Sequence, residues 1–253
     1  LKKASEVIGT MRYLRNLSSY EMLSPDKKNI IVIAPHPDDE MIGPGGTILK
    51  SLSKGINVHC ICLTNGKKGE IAKKESHEVA KKYGYSINFL NLEVENINID
   101  QENQDLLKEI ITEKKADCIF VPFFLDDHDD HRRANELIYK CFFNNLNDHK
   151  IIENLEVWAY QVYTSLIPNV VVDITEFAED KKEAIKMWSS QSSRDWAHYS
   201  LGLNAYNTRF VSTKGEKKYI EAFFVLPLKD YLLLCKKYFS QPKDCYYLDN
   251  YKK

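Results

Sequence analysis

The first half of the chain alternates short, continuous apolar runs with segments whose apolar residues recur at helical spacing. The run at residues 30–35 (IIVIAP) is rich in β-branched residues, which is typical of a parallel strand buried on both faces. Strands that alternate with helices in this way predict right-handed βαβ units and a parallel sheet. The predicted strands are 30–35, 57–64, 87–92, 116–122, 155–163, 169–174 and 221–227. The predicted helices are 2–22, 43–54, 70–83, 101–115, 131–144, 176–190 and 228–239.

Glycines mark the ends of two predicted helices. Gly55 and Gly84 follow helices 43–54 and 70–83, at the position where a left-handed residue commonly closes a helix. No linker rich in proline, glycine and serine divides the chain, and 253 residues are enough for one large domain. We therefore predict a single α/β domain over residues 1–253. Its core is a Rossmann-like, mostly parallel sheet flanked by helices, with an irregular C-terminal extension from residue 193.

Composition narrows the classes of function. Hydrophobic residues make up 43% and charged residues 28% of the chain, as in ordinary globular proteins, and the net charge of -1 demands no nucleic acid as partner. No apolar run approaches the length of a transmembrane helix, and the N-terminus lacks the apolar stretch of a secretory signal. The six cysteines contain no C-x-x-C pair, which favours a reducing compartment. We expect a cytoplasmic protein.

Two charged segments directly follow predicted strands. The segment at 36–40 (HPDDE) comes after strand 30–35, and the segment at 126–131 (DDHDDH) comes after strand 116–122. Functional sites on such sheets lie beyond the carboxyl ends of the strands. We therefore expect both segments to meet at one edge of the sheet.

Together the two segments offer ligands for a divalent metal. His36 and Asp39 are three residues apart where a loop turns into a helix, so both side chains can face one point. His131 completes a set of two nitrogens and one oxygen, and three protein ligands with open positions are typical of a catalytic metal site. This donor set suits Zn²⁺, and Fe²⁺ or Co²⁺ can also fill it. A metal held in this way lowers the pKa of its bound water to about 7.

Three neighbouring side chains have the chemistry to assist hydrolysis. Asp38 stands beside Asp39 and is free to accept a proton from the water. His128 can donate to a developing oxyanion or to a leaving amine, and Asp130 can orient or charge that imidazole. Taken singly, each segment is also compatible with a polar loop or a helix cap. Their occurrence together at two strand ends favours a site.

The same motifs resemble those of the PIG-L-like (LmbE-like) de-N-acetylase family. The similarity covers roughly residues 28–192 and rests on APHPDDE, on the T-x-G-x-x-G turn TNGKKG, on HDDH at mid-chain and on SSQ at 189–191. The resemblance implies a zinc-dependent hydrolase that removes the acetyl group of an N-acetylglucosamine unit in a small molecule or glycoconjugate. The implied roles are metal ligands for His36, Asp39 and His131, general base for Asp38, oxyanion stabiliser or acid for His128, and tuning of His128 for Asp130.

Two positions depart from the family pattern. Asp129 stands where many members have proline, and Asn65 stands where an acidic residue is common. Neither departure removes a ligand or the base, so both bear on substrate handling. Asn65 and Lys68 lie in the turn at 65–70, whose residues suit substrate hydroxyls or a phosphate and are equally compatible with a plain surface turn.

Two further segments have more than one interpretation. The GPGG segment at 43–46 matches no phosphate-binding loop and indicates a close backbone approach near the first charged segment. The segment at 194–210 is rich in Trp, Tyr, Asn and Arg, which suits stacking on sugars as well as edge packing. We predict metal-dependent removal of an N-acetyl group from an amino sugar. The alternatives are a metal-dependent phosphoesterase and an inactive sugar-binding relative.

Overall fold

The computed structural model describes residues 21–22, 24–143 and 155–240. Within these ranges, eight strands form one sheet at the centre of the fold. They are β1 (Glu21–Met22), β2 (Asn29–Ala34), β3 (Asn57–Thr64), β4 (Ser86–Leu92), β5 (Cys118–Pro122), β6 (Glu156–Tyr160), β7 (Val170–Asp173) and β8 (Ile220–Pro227).

Helices cover both faces of this sheet. In chain order the α-helices are α1 (Asp39–Ile42), α2 (Gly45–Ser53), α3 (Glu70–Tyr83), α4 (Gln101–Glu113), α5 (Asp129–Phe143), α6 (Ala178–Lys186), α7 (Trp196–Tyr206) and α8 (Leu228–Phe239). Short 3₁₀ turns occur at Thr175–Phe177, Ser189–Gln191 and Asn207–Phe210.

The strand order is β1-β7-β8-β6-β5-β2-β3-β4. Neighbouring described strands pair in parallel except β8, which runs antiparallel to both β6 and β7. This arrangement confirms the mostly parallel sheet flanked by helices. After residue 192, the predicted strand 221–227 and helix 228–239 are observed as β8 and α8, and α7 is a regular element that the sequence pattern does not predict.

Strand β2 shows why its apolar run is continuous. Ile31 and Ile33 pack in the core on one face of the sheet, whereas Ile30 and Val32 pack in the core on the other face. Alternate residues of a strand point to opposite faces, so a strand covered on both sides has no position for a polar side chain. The predicted strand 30–35 is therefore observed with nearly the same bounds.

The strand order reverses at β2. The chain places β3 and β4 on one side of β2, and β5 and β6 on the other side. β2 pairs in parallel with β5, with Ile30 opposite Cys118 and Val32 opposite Phe120, so their carboxyl ends lie side by side. Open α/β sheets hold their ligands in the crevice at such a reversal. Both charged segments follow these two strands.

Two predicted helices differ from the observed elements. The predicted helix 43–54 is observed as α2 and begins two residues later, at Gly45, because Pro44 is its N-cap, while α1 is a separate short helix that ends before Gly43. Proline has no N–H with which to continue a helix, so the short helix that begins at Asp39 stays separate from α2. The predicted helix 2–22 lies outside the described residues except for 21–22. There the prediction is wrong, because pairing with β7 makes these two residues a strand.

The lengths of the described helices and the state of the described cysteines can be compared with the expectations from composition. Among the described helices, none combines the length and the apolar character that crossing a membrane requires. The five described cysteines are free and buried. Burial raises the pKa of Cys60 to about 11, so this side chain behaves as a small neutral core residue.

Candidate active site

The first charged segment forms a tight loop between β2 and α1. The Asp39 Oδ2 atom accepts the backbone N–H of His36 at 2.8 Å, which closes the loop on itself. Asp38 lies between them in the left-handed region with φ 103°. Aspartate and asparagine tolerate this region better than most residues, because their short polar side chains can bond locally. The loop therefore presents His36 and Asp39 on one side.

The second charged segment is organised by the buried carboxylate of Asp126. Its Oδ1 atom accepts the backbone N–H of His128 at 3.0 Å. Its Oδ2 atom accepts the backbone N–H groups of Tyr163 at 3.1 Å and Thr164 at 3.3 Å, which come from the segment after β6. Asp126 thus joins the ends of β5 and β6 and fixes the start of α5, where His131 lies.

Three possible ligand atoms converge between the two segments. His36 Nδ1 lies 3.1 Å from Asp39 Oδ2, and His131 Nε2 lies 3.3 Å from the same oxygen. The ring centroids of the two histidines are 5.4 Å apart. The sequence-predicted set of His36, Asp39 and His131 is therefore brought to one point.

Carboxylates lie behind both imidazoles. His36 Nε2 lies 2.8 Å from Asp130 Oδ2, in hydrogen-bonding geometry. His131 Nδ1 lies 3.0 Å from Asp126 Oδ1, but both ring nitrogens of His131 are buried without a partner in hydrogen-bonding geometry. A carboxylate on the far nitrogen of a ligand histidine is the usual way in which proteins fix the ring and its tautomer.

The buried carboxylates around His36 and His131 favour the positively charged forms of both imidazoles. Burial alone lowers the pKa of His36, but Asp130 and Asp39 outweigh it and raise that pKa to about 9. Burial likewise opposes protonation of His131, while Asp39 and Asp126 raise its pKa to about 9. For Asp39, burial favours the neutral form, but the two imidazoles hold the pKa of this carboxyl far below its usual range. Without a metal, the site therefore stores protons on both imidazoles.

The donor set fits a small divalent cation. If His36 gives its Nε2 proton to Asp130, the Nδ1 lone pair faces the Asp39 carboxylate at 3.1 Å, and two acceptors at this distance need a cation between them. The buried, unpartnered Nε2 atom of His131 faces the same oxygen. Two imidazole nitrogens and one carboxylate oxygen are ligands that Zn²⁺, Fe²⁺ and Co²⁺ accept. The nitrogens of His36, His128 and His131 also lie within 4.8 Å of one another, a looser grouping than the one around Asp39.

Asp38 is buried beside this set. Burial, together with the neighbouring carboxylates of Asp39 and Glu40, raises the pKa of Asp38 well above its usual value. Its backbone N–H donates to Glu40 Oε2 at 3.1 Å, and Glu40 Oε1 accepts the hydroxyl of Tyr85 at 3.1 Å. Glu40 and Tyr85 thereby hold the backbone that positions the Asp38 carboxylate.

His128 lies against both candidate ligand histidines, with ring centroids 4.6 Å from His36 and 5.1 Å from His131. Burial and the positive charges of these two histidines lower its pKa, so the ring is neutral near pH 7. The backbone N–H of Asp130 donates to His128 Nδ1 at 3.1 Å, which leaves the ring proton on Nε2. This contact differs from the expected one, because the Asp130 carboxylate is taken by His36 and by the backbone N–H of Glu95.

The turn that contains Asn65 and Lys68 lies beside the first loop. Gly66 has φ 65°, and a side chain there would approach the Pro37 ring to 3.1 Å. Asn65 Oδ1 is buried without a hydrogen-bond partner, whereas Lys68 is exposed. Across the turn, the neighbouring Lys67 pairs with Glu95 at 2.6 Å. Asn65 therefore has an unpaired buried acceptor in this turn, whereas Lys68 faces solvent.

Close packing behind the first loop explains the GPGG segment. A Cβ atom at Gly43 would lie 2.3 Å from the Tyr160 ring, and one at Gly46 would lie 2.6 Å from Ile174. This close approach confirms the interpretation made from the sequence. Beyond it, Gln191 donates to the Pro37 carbonyl at 3.1 Å, so the SSQ turn supports the loop from the other side.

Three residues with contacts to the candidate site were not assigned a role from the sequence. Asp126 and Glu40 belong to the two charged segments, so their position at the strand ends was the available signal. Tyr163 stacks on His128 with ring centroids 5.8 Å apart and lies tilted against His131 at 5.3 Å, and it is 44% exposed. It follows β6 with no motif around it, and only the neighbourhood of β5 and β6 reveals it.

Comparisons with known proteins cover the part of the chain that carries both charged segments. Residues 31–142, which contain both charged segments, match the family model described as PIG-L: GlcNAc-PI de-N-acetylase. The match confirms the resemblance that the motifs indicate.

Among curated proteins, the chain is 28% identical over 214 residues to the diacetylchitobiose deacetylase of Thermococcus kodakarensis, covering 72% of this chain and 78% of the relative. It is 25% identical over 193 residues to a probable N-acetyl-alpha-D-glucosaminyl L-malate deacetylase 2 of Bacillus subtilis, covering 66% and 84%. Among solved structures, the N,N'-diacetylchitobiose deacetylase of Pyrococcus horikoshii matches with a TM-score of 0.68 and 27% identity, covering 90% of this chain and 94% of that one.

Proposed function

We propose that this protein is a metal-dependent hydrolase. It removes the N-acetyl group from an N-acetylated amino sugar or glycoconjugate and releases acetate and a free amine. Both charged segments lie within the residues that match the GlcNAc-PI de-N-acetylase model, and the proposal starts from that match. The observation that carries the proposal is the approach of His36 Nδ1 and His131 Nε2 to Asp39 Oδ2, at 3.1 and 3.3 Å, beside the buried Asp38. Deacetylase relatives over most of the chain support the same reaction.

In this proposal His36, Asp39 and His131 hold one divalent cation, of which Zn²⁺ fits the donor set well. When bound, such a cation lowers the pKa of water and polarises an acyl oxygen. The carboxylates of Asp130 and Asp126 keep the two imidazoles oriented toward Asp39.

Asp38 is the general base. Its backbone is held by Glu40, so its carboxylate stays beside the ligand set while it accepts a proton from the attacking water. Burial and the neighbouring carboxylates of Asp39 and Glu40 raise the pKa of Asp38, so its ionised carboxylate is a stronger base than one in solution. The proton that Asp38 takes can then pass to the departing amine nitrogen.

His128 stabilises charge on the acetamide oxygen. Its Nδ1 atom accepts the Asp130 backbone N–H, so the Nε2–H group is the available donor. A fixed donor at a developing oxyanion contributes more than a mobile one, because it is already oriented before charge develops. The neutral ring suits this role near pH 7. Asn65 and Lys68 are proposed to meet the hydroxyls of the substrate.

The proposed reaction is tested by measuring acetate release from free, nucleotide-linked and lipid-linked N-acetylhexosamines in the presence of Zn²⁺. We expect acetate from at least one of them, with the amine product in equal amount. Phosphate release without acetate would instead indicate a phosphoesterase. A sugar that binds metal-loaded protein and stays chemically unchanged would indicate an inactive sugar-binding relative.

Metal loading itself has an expected proton signature. Because the pKa values of His36 and His131 are about 9 in the metal-free protein, both imidazoles carry an extra proton at pH 7. Their pKa values are raised above the ordinary value, so their stabilisation of the metal-free fold is complete below about pH 6.5 and is lost as pH rises through about 9. Zn²⁺ needs the lone pairs, so binding at pH 7 should release about two protons per chain.

This release is measured by calorimetric titration of metal-free protein in buffers of different ionisation enthalpy. Repeating the titration at about pH 10, above both pKa values, is the control and should show the release falling toward zero. Zn²⁺ binding at pH 7 without proton release would contradict the assignment of these two histidines as ligands.

A further inference from the structure

A row of aromatic rings leads outward from the candidate catalytic histidines. Tyr163 lies against His131, with ring centroids 5.3 Å apart. Trp196 follows at 5.5 Å from Tyr163, and Tyr199 at 6.0 Å from Trp196. The row begins at the site and continues along the first turn of α7, so a ligand bound at the histidines can extend onto it.

Packing of α7 accounts for these rings only in part, because Trp196 packs against the core and is half-buried, whereas Tyr163 and Tyr199 are exposed. The buried side of this helix carries small and polar residues, namely Ala197, Ser200 and Asn204. The Ser200 hydroxyl donates to the Ile42 carbonyl at 2.7 Å, and Asn204 accepts from Lys181 at 3.0 Å. The outer side carries Tyr199, which is 55% exposed, and Tyr206, which is 61% exposed. A helix that packs for stability buries its apolar side, whereas α7 directs its aromatic side outward. Contiguous exposed aromatic surface in a folded protein usually marks a binding site.

We propose that Tyr163, Trp196 and Tyr199 form a subsite for a second sugar ring, joined by a glycosidic bond to the acetylated one. This inference rests on the proposed function, since the acetylated ring must first bind at the histidines. A pyranose has an apolar face of C–H groups that packs on aromatic rings, and hydroxyls around its edge that need polar partners. Sites for small ligands combine these two kinds of surface.

Polar groups at the edge of the row match this chemistry. The Arg194 guanidinium lies over the Trp196 ring at 5.5 Å, and the His198 ring lies 5.9 Å from Tyr199. Arginine offers five N–H donors and histidine offers a donor and an acceptor, which suits the hydroxyls of a neutral sugar. Both side chains are exposed, so they are accessible to a ligand on the row.

The subsite is tested by the ratio of kcat/KM for the β-1,4-linked disaccharide of N-acetylglucosamine to that for the monosaccharide. We expect the wild type to prefer the disaccharide by about tenfold or more, and Trp196→Ala and Tyr199→Ala to lower the ratio toward one, mainly through KM for the disaccharide. Tyr206→Ala is the matched control. It removes an exposed tyrosine from the same helix, about 10 Å farther along the axis than Tyr199, and should leave the ratio unchanged.

Direct binding separates this inference from the proposed function. In the Asp38→Asn variant, titration with the same disaccharide should change tryptophan fluorescence, because Trp158 and Trp188 are buried and Trp196 is the partly exposed indole among the described residues. Adding Trp196→Phe should remove the change. Binding of this kind in a protein that deacetylates no sugar would support the subsite and overturn the proposed function.

Other outcomes overturn the subsite alone. Deacetylation with equal kcat/KM for the two sugars, or with a ratio that neither variant alters, would leave the proposed function and exclude the subsite. Light scattering tests whether a second copy of this chain, instead of a sugar, binds the aromatic row. If Tyr199→Ala converts an oligomer to a monomer while the ratio stays unchanged, the aromatic side of α7 is an interface between copies of this chain.

Discussion

Asp38→Asn is expected to retain metal as the wild type does and to lose turnover by about 10²–10⁴-fold, the range that general base catalysis contributes. Asparagine keeps the shape of the side chain and tolerates the left-handed backbone at φ 103°, so the loop should keep its geometry. What it lacks is a group that accepts a proton. Acetate release measures the loss, and metal content per chain measures retention.

His36→Ala is the comparison that gives this result its meaning. It removes one of the three proposed ligands and leaves Asp39 and Asp130 facing each other without the imidazole, so both metal and turnover should be lost. Both variants should therefore be inactive, but Asp38→Asn should keep its metal whereas His36→Ala should lose it. Asp38→Asn with wild-type turnover would remove this residue from the role of base.

Lys181→Ala is expected to lower the free energy of unfolding by about 3–5 kcal/mol, the usual cost of removing one partner of a buried ion pair. The Lys181 ammonium lies 2.6 Å from Glu221 Oε1, and both side chains are fully enclosed. Burial lowers the pKa of Lys181, although Glu221 opposes the shift. The Glu221 carboxylate also accepts the N–H groups of Gly46 and Thr47 at 2.8 Å, at the first turn of α2. Urea denaturation followed by circular dichroism measures the loss.

Two further variants give this prediction its controls. Lys182→Ala removes the adjacent lysine of α6, whose exposed pairing with Glu179 should leave stability nearly unchanged. The double variant Lys181→Met with Glu221→Gln should recover part of the loss, because no charge stays buried and the amide oxygen can still accept one of the two N–H groups of α2. An unfolding free energy for Lys181→Ala within error of that for Lys182→Ala would show that the buried pair contributes nothing.

The strands and the place of the candidate site follow from local information. The run 30–35 is apolar because both faces of β2 are covered. Consecutive residues carry this pattern, so the strand can be recognised from the local sequence. Because β2 and β5 are parallel neighbours, the two charged segments after them had to meet. Gly84, with φ 86°, closes α3 where the sequence predicts a left-handed cap.

Other features depend on pairings between distant residues, which sequence pattern alone does not reveal. The Asp130 carboxylate bonds to His36, 94 residues away, instead of to its near neighbour His128. Lys181 and Glu221 each resemble a solvated surface residue in the sequence, and only the insertion of β8 between β6 and β7 buries them together. Two short polar residues, Ser200 and Asn204, gave no sign that they would face inward on α7.

The candidate metal ligands and the aromatic row lie on different elements of the fold, and this has an evolutionary consequence. His36 and His131 are placed by β2 and β5, whose spacing is set by backbone hydrogen bonds of the central sheet. Trp196 and Tyr199 lie on a peripheral helix that these bonds do not constrain. If the proposed function and subsite hold, substitutions on the surface of that helix can change which linked sugar is accepted without disturbing the arrangement around Asp39.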